Sequence, residues 1–134
     1  MNTAAYELPP GVQVLERGWL SANNIVMAVR PGQAGEAAVV DTGYHTHAGQ
    51  TVALMEAALD GAPLARIVNT HLHSDHCGGN AALQARWPAA RIAIAPGQAR
   101  AVAAWDEAAL SYAPTGQHCP RFAFDELLAP GTEA

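Results

Sequence analysis

The chain has 134 residues, of which 50% are hydrophobic and only 14% are charged. This length and composition predict one domain with a buried core and argue against disorder. The net charge is −5, with seven arginines and no lysine, so no basic patch points to nucleic acid as a partner. No apolar run approaches the ~20 residues that a membrane-spanning helix needs. Residues 1–11 lack the basic and apolar regions of a signal peptide, so we expect a cytoplasmic protein.

The first half of the sequence predicts three strands followed by a helix. Val12–Glu16 and Ile25–Arg30 read as strands that are joined by a link rich in turn formers. Ala37–Val40 is a short apolar run, which is typical of a strand buried on both faces. Thr46–Asp60 is predicted to be a helix because its hydrophobic residues recur at helical spacing, with its first residue, a threonine, as the cap.

The second half continues the alternation of strands and helices. The predicted strand Leu64–Asn69 runs directly into a histidine-rich segment. A short helix, Asn80–Arg86, is followed by a strand, Arg91–Ala95, and by a second long helix, Gln98–Leu110. The tail, Ser111–Ala134, has little periodicity. This order predicts an α/β layered fold, in which ligand sites lie beyond the carboxyl ends of the strands.

The histidine-rich segment concentrates potential metal ligands. Four of them fall within six residues: His71, His73, Asp75 and His76. Imidazole nitrogen and carboxylate oxygen are both ligands of zinc, and a tight loop can turn residues i and i+2 toward one ion and residues i+4 and i+5 toward a second. Thr70 is placed to hydrogen-bond across the loop, and Gly78 and Gly79 permit a sharp turn and the start of the next helix without a Cβ clash. This spacing favours a metal site over a histidine-rich surface loop.

The same residues carry a family resemblance. The run Thr70-His71-Leu72-His73-Ser74-Asp75-His76-Cys77-Gly78-Gly79 resembles the His-x-His-x-Asp-His signature of the metallo-β-lactamase superfamily. Asp41-Thr42-Gly43 is similar to the first motif of that family. The resemblance covers about Val12 to Leu110 and implies an αββα sandwich, a mixed sheet flanked by helices. Residues 1–134 are then a partial domain that supplies the N-terminal half.

The resemblance also implies roles for the site residues. His71 and His73 would bind a first zinc ion, and Asp75 and His76 would bind a second. Asp41 would orient the site from behind the ligands. Asp75 would be the catalytic residue, because it could help to manage the proton. Two Zn²⁺ ions are expected for a complete domain, with iron or manganese as alternatives.

The implied function is that of a zinc-dependent hydrolase. A metal-bound hydroxide would attack the carbonyl of a small-molecule substrate, which could be an ester, thioester, lactone, amide or β-lactam. Complete members are about twice as long as the matched part and contribute further ligands, so the activity of this chain is expected to be incomplete. Two alternatives stay open: a truncated, non-catalytic metal-binding fragment, and an iron-bearing relative with oxygen or sulfur chemistry.

The remaining histidines and cysteines have weaker patterns. His45 and His47 follow the strand that ends at the aspartate motif, and a metal role, a pocket-lining role and a surface position all stay open. His118 comes too early in the chain to be a third ligand and is predicted to lie near the pocket or on the surface. Cys77 is predicted to be a small buried packing residue. Cys77 and Cys119 are expected to be free thiols.

Two tryptophans and one face of the predicted sheet also have predicted positions. Trp19 lies in the first strand link, where it could cover substrate, and Trp105 is predicted to be a core or interface residue. The predicted helices can cover one face of the sheet. The other face stays open unless a second layer, a second copy or the tail covers it, so self-association is possible.

Overall fold

A computed structural model describes residues 8–18, 21–28 and 36–128. In this part of the chain, one six-stranded sheet follows the order of the sequence. Its strands are β1 (Val12–Leu15), β2 (Asn24–Met27), β3 (Ala37–Val40), β4 (Leu64–Val68), β5 (Arg91–Ile94) and β6 (Glu126–Leu127). The first three strands pair antiparallel, and β3 to β6 pair parallel. The sheet is therefore mixed, and its pairing changes from antiparallel to parallel at β3, the strand beside the one that leads into the predicted metal loop.

Helices and short 3₁₀ turns connect the parallel strands. The helices are α1 (Ala48–Leu59), α2 (Ser74–Cys77), α3 (Asn80–Arg86), α4 (Ala99–Ala104) and α5 (Tyr112–Thr115). The 3₁₀ turns, His45–His47 and Pro96–Gln98, lead into α1 and α4. Among the described residues, we find no helix with the length and apolar character to span a bilayer.

One face of the sheet and the inner sides of the helices form a single hydrophobic core. Fully buried strand residues contribute Val26, Val39, Ile67, Ile92 and Ile94. The helices contribute Met55, Leu59, Leu83 and Val102 to the same cluster. This arrangement confirms the predicted α/β fold, a mixed sheet flanked by helices.

The opposite face of the β1–β2 hairpin carries exposed hydrophobic side chains. Val14 lies directly opposite Ile25, and Met27 follows on the same face two residues later. The exposed fractions of these three residues are 37%, 39% and 40%. Farther across the sheet, the same face carries an ion pair between Arg66 and Glu126 at 3.2 Å. The predicted open face is therefore apolar at the β1–β2 hairpin and charged across β4 to β6.

The predicted second long helix, Gln98–Leu110, is wrong. α4 ends at Ala104, and the next residue, Trp105, has a left-handed backbone with φ of 50°. The Asp106 carboxylate then accepts two backbone N–H groups at 3.1 Å, so the side chain stabilises a turn instead of another helical turn. The Trp105 ring packs against Tyr112 and Phe122, with ring centroids 5.9 and 5.3 Å away. Trp105, predicted to be a core or interface residue, is thus partly buried against the core at the end of a helix.

Smaller differences concern the ends of elements. The threonine cap predicted for the first helix is wrong, because the 3₁₀ turn precedes α1 and no side-chain hydrogen bond caps either one. The predicted strand Ile25–Arg30 is observed as Asn24–Met27. Its last two residues, like Trp19, lie outside the described residues. The sequence pattern did not predict α2 or β6, which have only four and two residues.

Candidate metal centre

The candidate site forms where β3 and β4 end side by side. These strands are parallel, so their carboxyl ends meet at one edge of the sheet. The backbone N–H of Asp41, directly after β3, donates to the carbonyl of Val68 at 2.8 Å. The histidine-rich loop follows β4 immediately. The topology therefore brings the two motifs together, as their positions in the sequence predict.

Asp41 holds the histidine-rich loop through hydrogen bonds of its carboxylate. Its side chain is almost fully buried, and its backbone lies in the left-handed region with φ of 63°, which aspartate tolerates better than most residues. One carboxylate oxygen, Oδ1, accepts the Thr70 backbone N–H at 2.9 Å. The other, Oδ2, accepts the Thr70 hydroxyl at 2.7 Å and lies 2.9 Å from Nδ1 of His76. Asp41 therefore ties the start of the loop to α2, and the hydrogen bond predicted for Thr70 is present.

The contact between Asp41 and His76 determines which ring nitrogen of His76 is available to a metal. Asp41 is a hydrogen-bond acceptor, so Nδ1 of His76 donates to it and the lone pair of Nε2 stays available to a metal. Nε2 lies 3.6 Å from Oδ2 of Asp75. Two ligands of one tetrahedral zinc ion lie roughly 3.4 Å apart, given bonds of about 2.0–2.1 Å. Asp75 and His76 therefore have the spacing of two ligands of a single ion.

His71 and His73 lie against this pair. The ring centroid of His71 is 3.8 Å from that of His76 and 4.8 Å from that of His73. Burial lowers the pKa of His71 and positive charge on His76 and His73 lowers it further, while the Asp41 and Asp75 carboxylates oppose part of this shift. The neutral imidazole is the form that binds metal ions. The loop thus favours the ligand-competent state of His71.

The four predicted ligands are brought together without converging on one point. Within residues 8–18, 21–28 and 36–128, no three His, Cys, Asp or Glu side chains are arranged to hold a metal ion. The His71 ring lies over the His76 ring, with the two ring planes 46° apart. Three imidazoles and a carboxylate nevertheless form a donor set that suits zinc. The residues fit zinc in their chemistry, although the described side chains do not form a cluster of three ligands as they are placed.

The two glycines after the loop make room for a close approach. Gly78 and Gly79 have ordinary backbone angles, with φ of −64° and −94°, so the turn itself does not require glycine, whereas the predicted avoidance of a Cβ clash is confirmed. A Cβ on Gly79 would lie 2.4 Å from the carbonyl oxygen of Thr42, and one on Gly78 would lie 2.5 Å from the backbone nitrogen of His45. The glycines therefore let α2 and α3 pack directly onto the segment that follows Asp41.

A buried amide network supports the loop, and sequence reasoning did not identify it. Nδ2 of Asn80 donates to Oδ1 of Asn69 at 2.7 Å, and the Thr42 hydroxyl donates to Oδ1 of Asn80 at 2.8 Å. All three residues are fully or almost fully buried. The backbone N–H of Thr42 also donates to the carbonyl of His76 at 2.7 Å. A polar Asn80 at the start of an apolar helix, directly after two glycines, was the available signal.

The other three histidines make two separate contacts: His45 packs against His118, and His47 contacts Ser21. The rings of His45 and His118 meet edge to face, with centroids 4.7 Å apart. Burial lowers the pKa of His45, and positive charge on His118 lowers it further. Nδ1 of His47 lies 2.8 Å from the Ser21 hydroxyl. The tail also reaches the metal loop, because the Ser74 hydroxyl donates to Oε1 of Gln117.

Two small clefts flank His73. One of about 200 Å³ is lined by His73, Asp75 and the segment Leu110–Tyr112, among others. The other, of about 150 Å³, lies between His71, His73 and the overlapping segment 109–111, among others. A larger cleft of about 430 Å³ lies between α3 and Arg121–Ala123, where no candidate ligand is present. The clefts beside His73 are therefore the ones that can bring a small molecule to the candidate site.

These features define an α/β protein whose parallel strands end in a histidine-rich loop held by a buried aspartate. Residues 17–131 match the model of the metallo-beta-lactamase superfamily. The chain therefore belongs to that superfamily, as the two motifs predicted. No curated protein matches the chain at a significant level.

Solved metallo-β-lactamases have the same fold. A HARLDQ-motif variant from Cronobacter sakazakii is 25% identical, with a TM-score of 0.70, over 95% of this chain and 48% of that one. The FEZ-1 enzyme from Legionella gormanii is 12% identical, with a TM-score of 0.70, over 91% of this chain and 45% of that one. The B3 enzyme BLEG-1 is 20% identical, with a TM-score of 0.69, over 89% and 53%. The chain thus spans about half the length of these relatives.

Proposed function

We propose that this chain forms the metal-binding half of a zinc-dependent hydrolase that acts on a carbonyl of a small molecule. Membership of the superfamily suggests a metal-dependent hydrolase. The choice of zinc, and of an ester, thioester, lactone, amide or β-lactam as substrate, belongs to the proposal. The observation that carries it is the contact of the Asp41 carboxylate with both Thr70 and His76, which gathers the loop at the edge of the sheet.

In this proposal, His71 and His73 hold one ion, and Asp75 and His76 hold a second. Asp41 binds no ion itself: it orients the His76 ring and favours the tautomer that has its lone pair on Nε2. When bound, zinc supplies a Lewis acid that activates water and polarises a carbonyl.

Asp75 is the residue to which we assign proton handling. Its side chain is 39% exposed, so water and substrate can reach it. It lines the cleft of about 200 Å³ beside His73. Its backbone carbonyl accepts the N–H of Ala22 at 2.9 Å, so the link between β1 and β2 holds the residue in place. An aspartate in this position can accept a proton from water and pass it to a leaving group.

We expect the 134-residue chain to bind zinc weakly and to turn over substrate poorly. His71 and His73 supply only part of the four-coordinate shell that zinc prefers. The described side chains also form no cluster of three ligands as they are placed, so we expect metal binding to require their rearrangement, which lowers affinity further.

Zinc binding to single-residue variants tests the assignment. A competition titration with a fluorescent chelator, with elemental analysis for zinc, iron and manganese, measures affinity and metal identity independently of turnover. His71→Ala and Asp75→Ala should each weaken zinc binding, because each removes a ligand. His45→Ala and His118→Ala are matched controls that remove an imidazole outside the loop, and their affinity should be nearly unchanged. An equal loss in the His118 variant would contradict the assignment and transfer the role to the tail.

A further inference from the structure

The two cysteines of the sequence meet inside the protein. Cys77 and Cys119 are 42 positions apart, yet their Sγ atoms lie 3.7 Å from each other. Both are free thiols, and their exposed fractions are 0% and 1%. Burial of small apolar residues accounts for each cysteine alone. It does not require that the chain's two thiols face each other.

The contact joins a helix to a coil segment that lies far away in the sequence. Cys77 is the last residue of α2 and directly follows the proposed ligand His76. Cys119 lies in the coil between α5 and β6. The Tyr112 hydroxyl lies 3.1 Å from Sγ of Cys77 and donates to the Leu72 carbonyl at 2.8 Å, so the Cys77 side is fixed on several sides.

The geometry points to a disulfide between these two residues. A disulfide bond is about 2.0 Å long, so the sulfurs must approach by roughly 1.7 Å from their contact distance. A small shift of the coil and a rotation of the Cys119 side chain can supply this approach. We propose that Cys77 and Cys119 form an intramolecular disulfide when the chain meets a small-molecule disulfide oxidant, and that the bond ties the tail to α2.

The reaction is a thiol–disulfide exchange in two steps. The Cys119 sulfur loses its proton to water and attacks one sulfur of the oxidant, for which oxidised glutathione is the probe, and one glutathione thiolate leaves. The Cys77 sulfur then loses its proton and attacks Sγ of Cys119, which breaks the mixed disulfide and releases the second glutathione. Two electrons pass from the protein sulfurs to the oxidant. The net products are one protein disulfide and two glutathione thiols.

The cross-link has a structural consequence that does not depend on the proposed function. It closes a loop spanning 42 positions and so reduces the entropy of the unfolded chain. It also fixes the residue next to His76 to the tail. The oxidised chain should therefore unfold at a higher temperature than the reduced chain, and the backbone amides of α2 and of the coil around Cys119 should exchange hydrogen more slowly.

The test equilibrates the purified chain in glutathione buffers of increasing oxidised fraction, followed by acid quenching and alkylation under denaturing conditions. In the oxidised buffers, mass spectrometry should show a monomer that is about 2 Da lighter, carries no alkyl group and yields a linked Cys77–Cys119 peptide. The melting temperature should rise by about 10 °C relative to the reduced chain. The mass readout needs no variant, so it does not depend on how a substitution folds.

Cys119→Ala is the matched control, because it leaves Cys77 and the metal loop unchanged. Its melting temperature should be the same in reduced and oxidised buffers. The inference is overturned if both wild-type thiols stay open to alkylation in every buffer, if the chain stops at glutathione adducts, or if the bond forms between two chains. None of these results would affect the zinc assignment, which the chelator titration tests separately.

Discussion

Replacing Asp41 with asparagine removes the negative charge that contacts the candidate ligand His76 and leaves the size of the side chain unchanged. Asparagine has the same size and also tolerates a left-handed backbone, so the fold should persist. The amide oxygen can still accept the Thr70 backbone N–H that Oδ1 of Asp41 accepts at 2.9 Å. The amide nitrogen, however, takes the place of Oδ2 and brings a donor to within about 2.9 Å of Nδ1 of His76. The asparagine therefore favours the tautomer of His76 that carries its proton on Nε2.

This change of tautomer should weaken zinc binding. The proton on Nε2 must leave before the nitrogen can bind a metal, and a hydrogen bond to a charged group, worth about 1.5–3 kcal/mol, is lost as well. Residues that orient a ligand typically contribute 10–100-fold to metal affinity, which corresponds to about 1.4–2.7 kcal/mol. We therefore expect Asp41→Asn to lower zinc affinity by about this factor in a chelator competition titration. Its circular dichroism spectrum should remain that of the wild type.

Asp125→Asn is the matched control for this experiment. Oδ2 of Asp125 also accepts a backbone N–H, from Ile92 at 2.8 Å. This contact lies near the start of β5, at the end of the sheet opposite the carboxyl edge that holds the candidate site. Zinc affinity in the control should be unchanged. An unchanged affinity in Asp41→Asn would show that Asp41 only ends a strand, and would refute the tautomer argument.

Three further predictions concern the packing and the other histidines. Gly79→Ala should lower the free energy of unfolding in urea by about 1–3 kcal/mol, since its Cβ would meet a carbonyl oxygen 2.4 Å away. Gly97→Ala, which meets nothing within 4 Å, should be close to neutral, and equal effects would contradict the close-approach argument. Asn80→Ala should cost about 1–3 kcal/mol in the same assay, because its buried partners lose their hydrogen bonds, and a neutral result would show that water replaces them. In an NMR titration, the pKa of His45 should lie below its ordinary value and rise in His118→Gln without reaching that value, because burial is the larger cause. No change in that variant would exclude the charge of His118 as a cause.

The parts of the fold that could be predicted are those whose signal is local. Ala37–Val40 and Asn80–Arg86 have the predicted boundaries, because a short apolar run and a helix bounded by glycine and proline are recognisable from neighbouring residues alone. The metal loop was recognisable for the same reason, since its four candidate ligands are adjacent in the sequence. Their assignment to individual ions stays a prediction.

The parts that could not be predicted depend on partners far away in the chain. Trp105 packs its ring onto Tyr112 and Phe122 where the helix ends, and helical spacing does not reveal that contact. Asn69 and Asn80 become a buried pair only after β4 and α3 meet. Gly79 has the backbone of an ordinary helix start, so the carbonyl of Thr42 that excludes a side chain there is visible only in three dimensions.

The open sheet face leads to the last prediction. Val14, Ile25 and Met27 form a row of side chains that are 37–40% exposed on one side of the β1–β2 hairpin. Apolar side chains that are grouped in this way mark interaction surfaces, because covering them removes hydrophobic area from water at about 25 cal/mol per Å². We predict that the 134-residue chain self-associates through this row. Sedimentation equilibrium should show an average mass that rises with protein concentration.

Two arginine substitutions separate this row from the rest of the hairpin. Ile25→Arg places a charge in the centre of the row and should return the chain to a monomer without unfolding it. Gln13→Arg is the matched control, because Gln13 lies opposite Val26 on the other face of the same hairpin and is already exposed. It should associate like the wild type. A wild-type chain that remains monomeric at about 100 μM, a concentration at which weak pairing with a Kd in the micromolar range is visible, would show that the exposed row is not an interaction surface.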